Sequence, residues 1–110
     1  MEYFCTEKER KGTCYHEFYK GEWDGRSFWR EDSLLLHDDV CTGLKLHELF
    51  AAAVPEYESY GNTAVTREAW EKVCLLARET GAEVLDAIME ADEWVQQNFE
   101  TEDVFYILGL

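Results

Sequence analysis

The apolar residues of this 110-residue chain change their spacing near position 44, and that change sets what the chain can fold into. Before it, "MEYFCTE" and "TCYHEFYKG" are aromatic-rich runs parted by the charged turn "KERKG", the pattern of an antiparallel pair of strands. "RSFWREDSLLLHDD" reads as a third extended stretch, entered through Asp24-Gly25, the strongest local turn signal. With those two residues as the loop, Trp23 faces Arg26 across the turn and Trp29 stands near Lys20. The rings then pack on neighbouring strands and the charges point out. Left exposed instead, Trp23 and Trp29 would belong to a partner site, because tryptophan is enriched at interface hot spots.

From Leu44 the spacing turns helical. "LKLHELFAAAV" makes a short helix that Pro55 stops, and "ESYGN" follows as a loop closed by Asn62 or Thr63. Thr66 offers its hydroxyl as the cap of a stronger helix, with Glu68 in the first turn where the helix dipole favours negative charge. Trp70, Val73, Cys74 and Ala77 recur at i, i+3, i+4 and i+7 and form its buried face. Gly81 ends this helix. The next runs from Ala82 to Phe99 with Val84, Leu85, Ile88, Ala91, Val95 and Phe99 on one side, so the two should form a tight hairpin.

The terminal "EDVFYILGL" is apolar and β-prone, which suits a place in the sheet. The expected fold is α+β: an antiparallel sheet of N-terminal strands plus a C-terminal strand, packed against a helical hairpin. One proline and dispersed glycines leave no linker, so residues 1–110 read as a single globular domain. Hydrophobic residues at 46% give it a core despite the 31% that are charged. No apolar run approaches the length of a membrane span, and no signal-peptide pattern opens the chain, so a cytoplasmic location is expected. Cys5, Cys14, Cys41 and Cys74 contain no CxxC pair and are expected to be free, mostly buried thiols.

The charge is unusual in its distribution. The net charge is -14, and residues 56 to 110 hold 13 acids against only Arg67, Lys72 and Arg78. Glu83, Asp86, Glu90 and Glu93 fall at i, i+3, i+7 and i+10 along one face of the second helix, and Gln97 and Glu100 prolong the line. Like charges at these spacings each cost a few tenths of a kcal/mol, and no base at helical spacing offsets them. A cationic partner converts that repulsion into attraction and faster encounter. A solvated face that keeps the protein soluble is the plainer reading. Nucleic acids and anionic membranes are disfavoured as partners because there is no basic patch to release counterions.

"YESYGN", the tryptophan-bearing helix, the acidic second helix and the terminal "DVFYILGL" together resemble the small acidic bacterial immunity proteins of toxin-immunity systems, over residues 57 to 110. The resemblance implies a protein that neutralises a basic partner such as a toxin nuclease, without a cofactor. On this reading Glu83, Asp86, Glu90, Glu93 and Trp23 are the partner-binding residues, with no catalytic residue and no metal.

Two other readings compete. His37, Asp38, Asp39 and Cys41, with His47 nearby, could serve as a base with an orienting carboxylate or as a metal cluster. No phosphate loop, HExxH, GxSxG or calcium-loop spacing supports such an enzyme. A homo-oligomeric structural subunit would need an exposed apolar patch.

Overall fold

Leu34, Leu35 and Leu36 dictate an interior strand, because successive strand side chains point to opposite faces and three leucines in a row need both faces covered. In the computed structural model, which describes residues 1–110, they form β3 (Leu34–His37) and all three are buried. β3 lies between β1 (Phe4–Thr6) and β2 (Tyr15–Lys20), so the expected direct pairing of the first two strands is replaced by one through β3. The segment between β1 and β2 is no tight turn: Glu7–Glu9 form a 3₁₀ turn, braced by a 2.7 Å pair between Arg10 and Glu7. The sheet is completed by β4 (Asn62–Thr66) and β5 (Val104–Leu108), in the order β1-β3-β2-β5-β4 and antiparallel throughout. The C-terminal strand thus joins the sheet as expected, whereas β4 occupies residues read as the end of a loop.

Helices cover one face of the sheet. α1 (Asp38–Gly43) takes in Asp38 and Asp39, the last two residues of the expected extended stretch, because the His37 ring accepts the Asp39 N–H at 3.0 Å and caps a helix there. α2 (Leu46–Ala53) starts two residues later than expected because Lys45 is left-handed, with φ 56, and it ends before Pro55. α3 (Arg67–Thr80) is capped by the Thr66 hydroxyl, which accepts the Ala69 N–H at 3.2 Å. Its Trp70, Val73, Cys74 and Ala77 are buried, as the spacing predicts. Gly81, with φ 156 and ψ 168, turns the chain into α4 (Ala82–Phe99) through a backbone region nearly exclusive to glycine. Phe18 of β2 sits at the centre of this core, with Phe105, Phe4, Trp94, Phe50 and Trp70 around it at ring distances of 5.2 to 6.1 Å. Burying such a ring contributes about 1.5–3 kcal/mol.

The other face is covered by chain without regular structure. Residues 21–33, expected to begin a strand, instead form a strap across Tyr15, Glu17 and Tyr19. Asp24-Gly25 does not make a two-residue hairpin. The Asp24 carboxylate accepts the N–H groups of Arg26 at 2.9 Å and Ser27 at 2.8 Å, and this local turn competes with strand pairing. Trp23 therefore has no cross-strand partner in Arg26, and Trp29 lies away from Lys20, edge-on to Tyr15 at 6.4 Å and beneath the Arg10 guanidinium at 4.3 Å. Both rings are half-buried.

What ties the strap down is Glu17, buried at 1% exposure in the middle of β2. Its carboxylate accepts the N–H groups of Trp29 at 2.9 Å and Arg30 at 3.2 Å and the Ser33 hydroxyl at 2.6 Å. Trp29 takes a left-handed φ of 60, and the two successive N–H groups converge on this one anion.

Candidate functional site

Val84, Ala87, Ile88, Ala91 and Val95 bury one side of α4, which fixes the rotation of the helix and turns Glu83, Asp86 and Glu93 to solvent. Glu90 differs from them. Its carboxylate accepts the N–H groups of Glu2 at 3.0 Å and of Tyr3 and Phe4 at 2.8 Å each, so it anchors the N-terminal strand. Asp92 on the same helix is also taken, by the indole N–H of Trp70 at 2.8 Å and the Gln96 amide at 3.0 Å.

The exposed acids have no basic neighbour. All five acid–base pairs in the molecule lie between residues 7 and 48, and three of those involve histidine. Arg67, the first of the three cations after residue 55, stacks on the Phe99 ring at 4.8 Å and donates to the Phe99 carbonyl at 3.0 Å. It therefore turns away from the acidic face.

Beside that face lies a notch of about 250 Å³. Glu31 and Asp32 from the strap and Glu90 and Glu93 from α4 line it, with Trp94 and Gln97. The indole N–H of Trp94 donates to the Asp32 carbonyl at 2.8 Å and holds strap and helix together at this point. Asp32 pairs with Arg30 at 3.5 Å and Glu90 is held by the N-terminal backbone, so Glu31 and Glu93 are the carboxylates without an ion pair here, and beside the Trp94 ring they suit a lysine or arginine side chain by charge and by cation–π contact. Glu31 and Asp32 were missed by sequence reasoning. They lie some sixty residues from Glu93, and only the fold of the strap brings them together.

Trp23 does not join this surface. The strap holds it on the face of the sheet opposite the helices, where its indole N–H donates to the Ser27 carbonyl at 2.8 Å and its ring leans on Phe28 at 5.6 Å and Tyr106 at 6.5 Å.

The histidine and cysteine group is dispersed. His37 is the cap of α1, His47 lies 3.8 Å from Glu48, and Asp38 bonds the buried His16 at 2.8 Å. Cys41 is buried, and burial first, then the Asp38 charge, pushes its thiol up to about 11, which suits a packed thiol and opposes a thiolate nucleophile. No three His, Cys, Asp or Glu side chains are grouped to hold a metal ion. The other nitrogen of His16 and the Tyr57 hydroxyl are buried without a hydrogen-bond partner.

Comparison with protein-family models, curated proteins and solved structures gave no match. No helix is long and apolar enough to cross a membrane.

Proposed function

We propose that this protein is an acidic binding module that captures a basic protein through the exposed face of α4 and the adjoining notch. The observation that carries the reading is the absence of any ion pair among the 13 acids of residues 56 to 110. Glu83, Asp86 and Glu93 supply the long-range attraction, and the notch receives one cationic side chain at Glu31, Glu93 and Trp94. Glu90 contributes charge from a carboxylate already bonded to backbone, so it shapes the notch more than it reaches outward. The resemblance to small immunity proteins supports the same direction: the partner is then a toxin such as a basic nuclease, met in the bacterial cytoplasm and blocked by stoichiometric binding.

The test uses the protein as bait in its source cell, beside a Glu83→Lys/Asp86→Lys/Glu93→Lys variant shown to melt like the parent. A basic protein retained by the parent at low salt, released by added salt and lost from the variant supports the reading. Identical capture by both baits refutes it.

A further inference from the structure

The two edges of the sheet are closed differently. In β1 the alternate amides of Phe4 and Thr6 are taken by carboxylates, Phe4 N–H donating to Glu90 at 2.8 Å and Thr6 N–H to Glu9 at 2.9 Å. Neither hydrogen is available to an incoming strand, a known way of blunting an edge.

β4 has no such closure. Just before it, Gly109 N–H donates to the Gly61 carbonyl at 2.7 Å, and in this antiparallel register Thr63 and Val65 therefore bond β5 as Gly61 does. The alternate residues, Asn62 and Ala64, turn their N–H and C=O groups away from β5. Apart from the Thr66 cap, the side-chain hydrogen bond made by this strand is Thr63 Oγ1 accepting the Glu58 N–H at 3.3 Å, which leaves the outward groups of Ala64 free. "NTAVT" carries neither charge nor proline, the usual guards of an edge.

An open cavity of about 630 Å³ lies along this strand, between Glu56–Glu58 and Asn62–Ala64 with Tyr106. No lysine or arginine lines it. A second cavity of about 260 Å³ shares Asn62 and is walled by Trp23, Phe28, Tyr60 and Leu110. Phe28 is 52% and Tyr60 80% exposed. Open backbone groups, two glutamates and an aromatic wall thus meet at one edge.

We infer that β4 is the seat of an extended, cationic segment of a partner protein, which adds to the sheet as a sixth strand beside Asn62–Thr66. Main-chain bonds to Ala64 give it purchase, and alternate side chains give specificity, lysine or arginine toward Glu56 and Glu58 and apolar groups toward Tyr60 and Phe28. A second copy of this chain is the wrong occupant, since pairing would bring two molecules of net charge -14 together. The inference rests on the partner being basic, and it names a contact separate from the α4 face.

The probe is a synthetic seven-residue peptide of alternating lysine and valine, blocked at both ends and titrated into isotope-labelled protein. At about ten times its Kd the Ala64 amide should exchange about tenfold more slowly, with resonance shifts centred on Asn62–Thr66. Methylating either the lysine or the valine amides should abolish that protection in one of the two peptides, and a peptide with glutamate for lysine should not bind. A folded Glu56→Lys/Glu58→Lys variant should lose the protection as well. Shifts confined to α4 around Glu83 and Glu93 overturn the edge assignment while leaving the acidic-module reading intact. Absence of peptide binding also overturns it. The acidic-module reading fails separately, by identical capture with the two baits.

Discussion

Ser33 donates its hydroxyl to the buried Glu17 carboxylate at 2.6 Å, so the last residue of the strap is fastened to the centre of the sheet. With the Trp29 and Arg30 amides on the same carboxylate, one side chain takes three hydrogen bonds from residues 21–33, whose ends are also held by Asn98 at Gly21 and Trp94 at Asp32. Glu17→Gln keeps the volume but leaves one oxygen for three donors, and should cost about 1–3 kcal/mol in denaturant unfolding. Proteolysis should begin in the strap, between Glu22 and Arg30, while the amides of α3 and α4 stay protected from hydrogen exchange. Uniform loss of protection would mean that the strap and the core open as one unit.

Glu90 and Glu93 share the acidic face of α4 but should behave differently. Glu90→Ala strands three backbone N–H groups of residues 2 to 4 and should lower stability by about 1–2 kcal/mol, with early exchange of the Phe4 amide. Glu93→Ala removes an exposed like charge and should leave the melting curve unchanged within about 0.5 kcal/mol. Equal losses would contradict the anchoring role of Glu90.

Asp24 carries the pH dependence of the strap. The Ser27 hydroxyl, then the N–H groups of Ser27 and Arg26, hold its carboxyl down to about 2, against an ordinary value of 3.8. A depressed folded-state value means that its contribution is complete above the ordinary value and is lost as the pH falls toward 2. The Arg26 and Ser27 amide resonances should therefore titrate with a midpoint near 2, and Asp24→Asn should remove the step. A midpoint at the ordinary value would show that the turn is unformed in solution.

The four thiols should separate by reactivity. Cys14 is exposed and should be alkylated quickly in the native protein. Cys5 should follow more slowly, its thiol raised by partial burial and by Glu9 and Glu7. Cys41 and Cys74, both pushed up to about 11 mainly by burial, should react only on unfolding. Mass spectrometry after timed labelling reads all four, and fast native labelling of Cys41 would revive a catalytic reading of its surroundings.

The helical half was legible because its determinants are local: the Thr66 cap, the Gly81 junction and the apolar spacing from Trp70 to Phe99 are all read within one or two turns. The terminal strand was legible from its composition. Strand order was not, since the place of β3 depends on what covers both sides of Leu35, and that cover is a strap whose conformation is set by Glu17, a residue of another strand. β4 was hidden by its short, polar sequence, although the burial of Thr63 and Val65 follows a period of two. The acidic stripe could be drawn from the helix alone, but neither the diversion of Glu90 to the N-terminal backbone nor the approach of Glu31 and Asp32 has a local signature. Cysteine burial was overestimated: Cys41 and Cys74 are buried, Cys5 is partly covered and Cys14 is open.

The position of β5 also sets the order of assembly. Tyr106 stands between Tyr19 on one side and Ala64 on the other, so β4 reaches the rest of the sheet only through a strand distant in sequence from both neighbours. The α3–α4 hairpin can form from near contacts, but its apolar face has no complete floor until Phe105 and Ile107 slot between β2 and β4. Closing those long loops costs chain entropy before the contacts repay it, so strand insertion is expected to limit the folding rate, which φ-values at Phe105 and Ile107 would read.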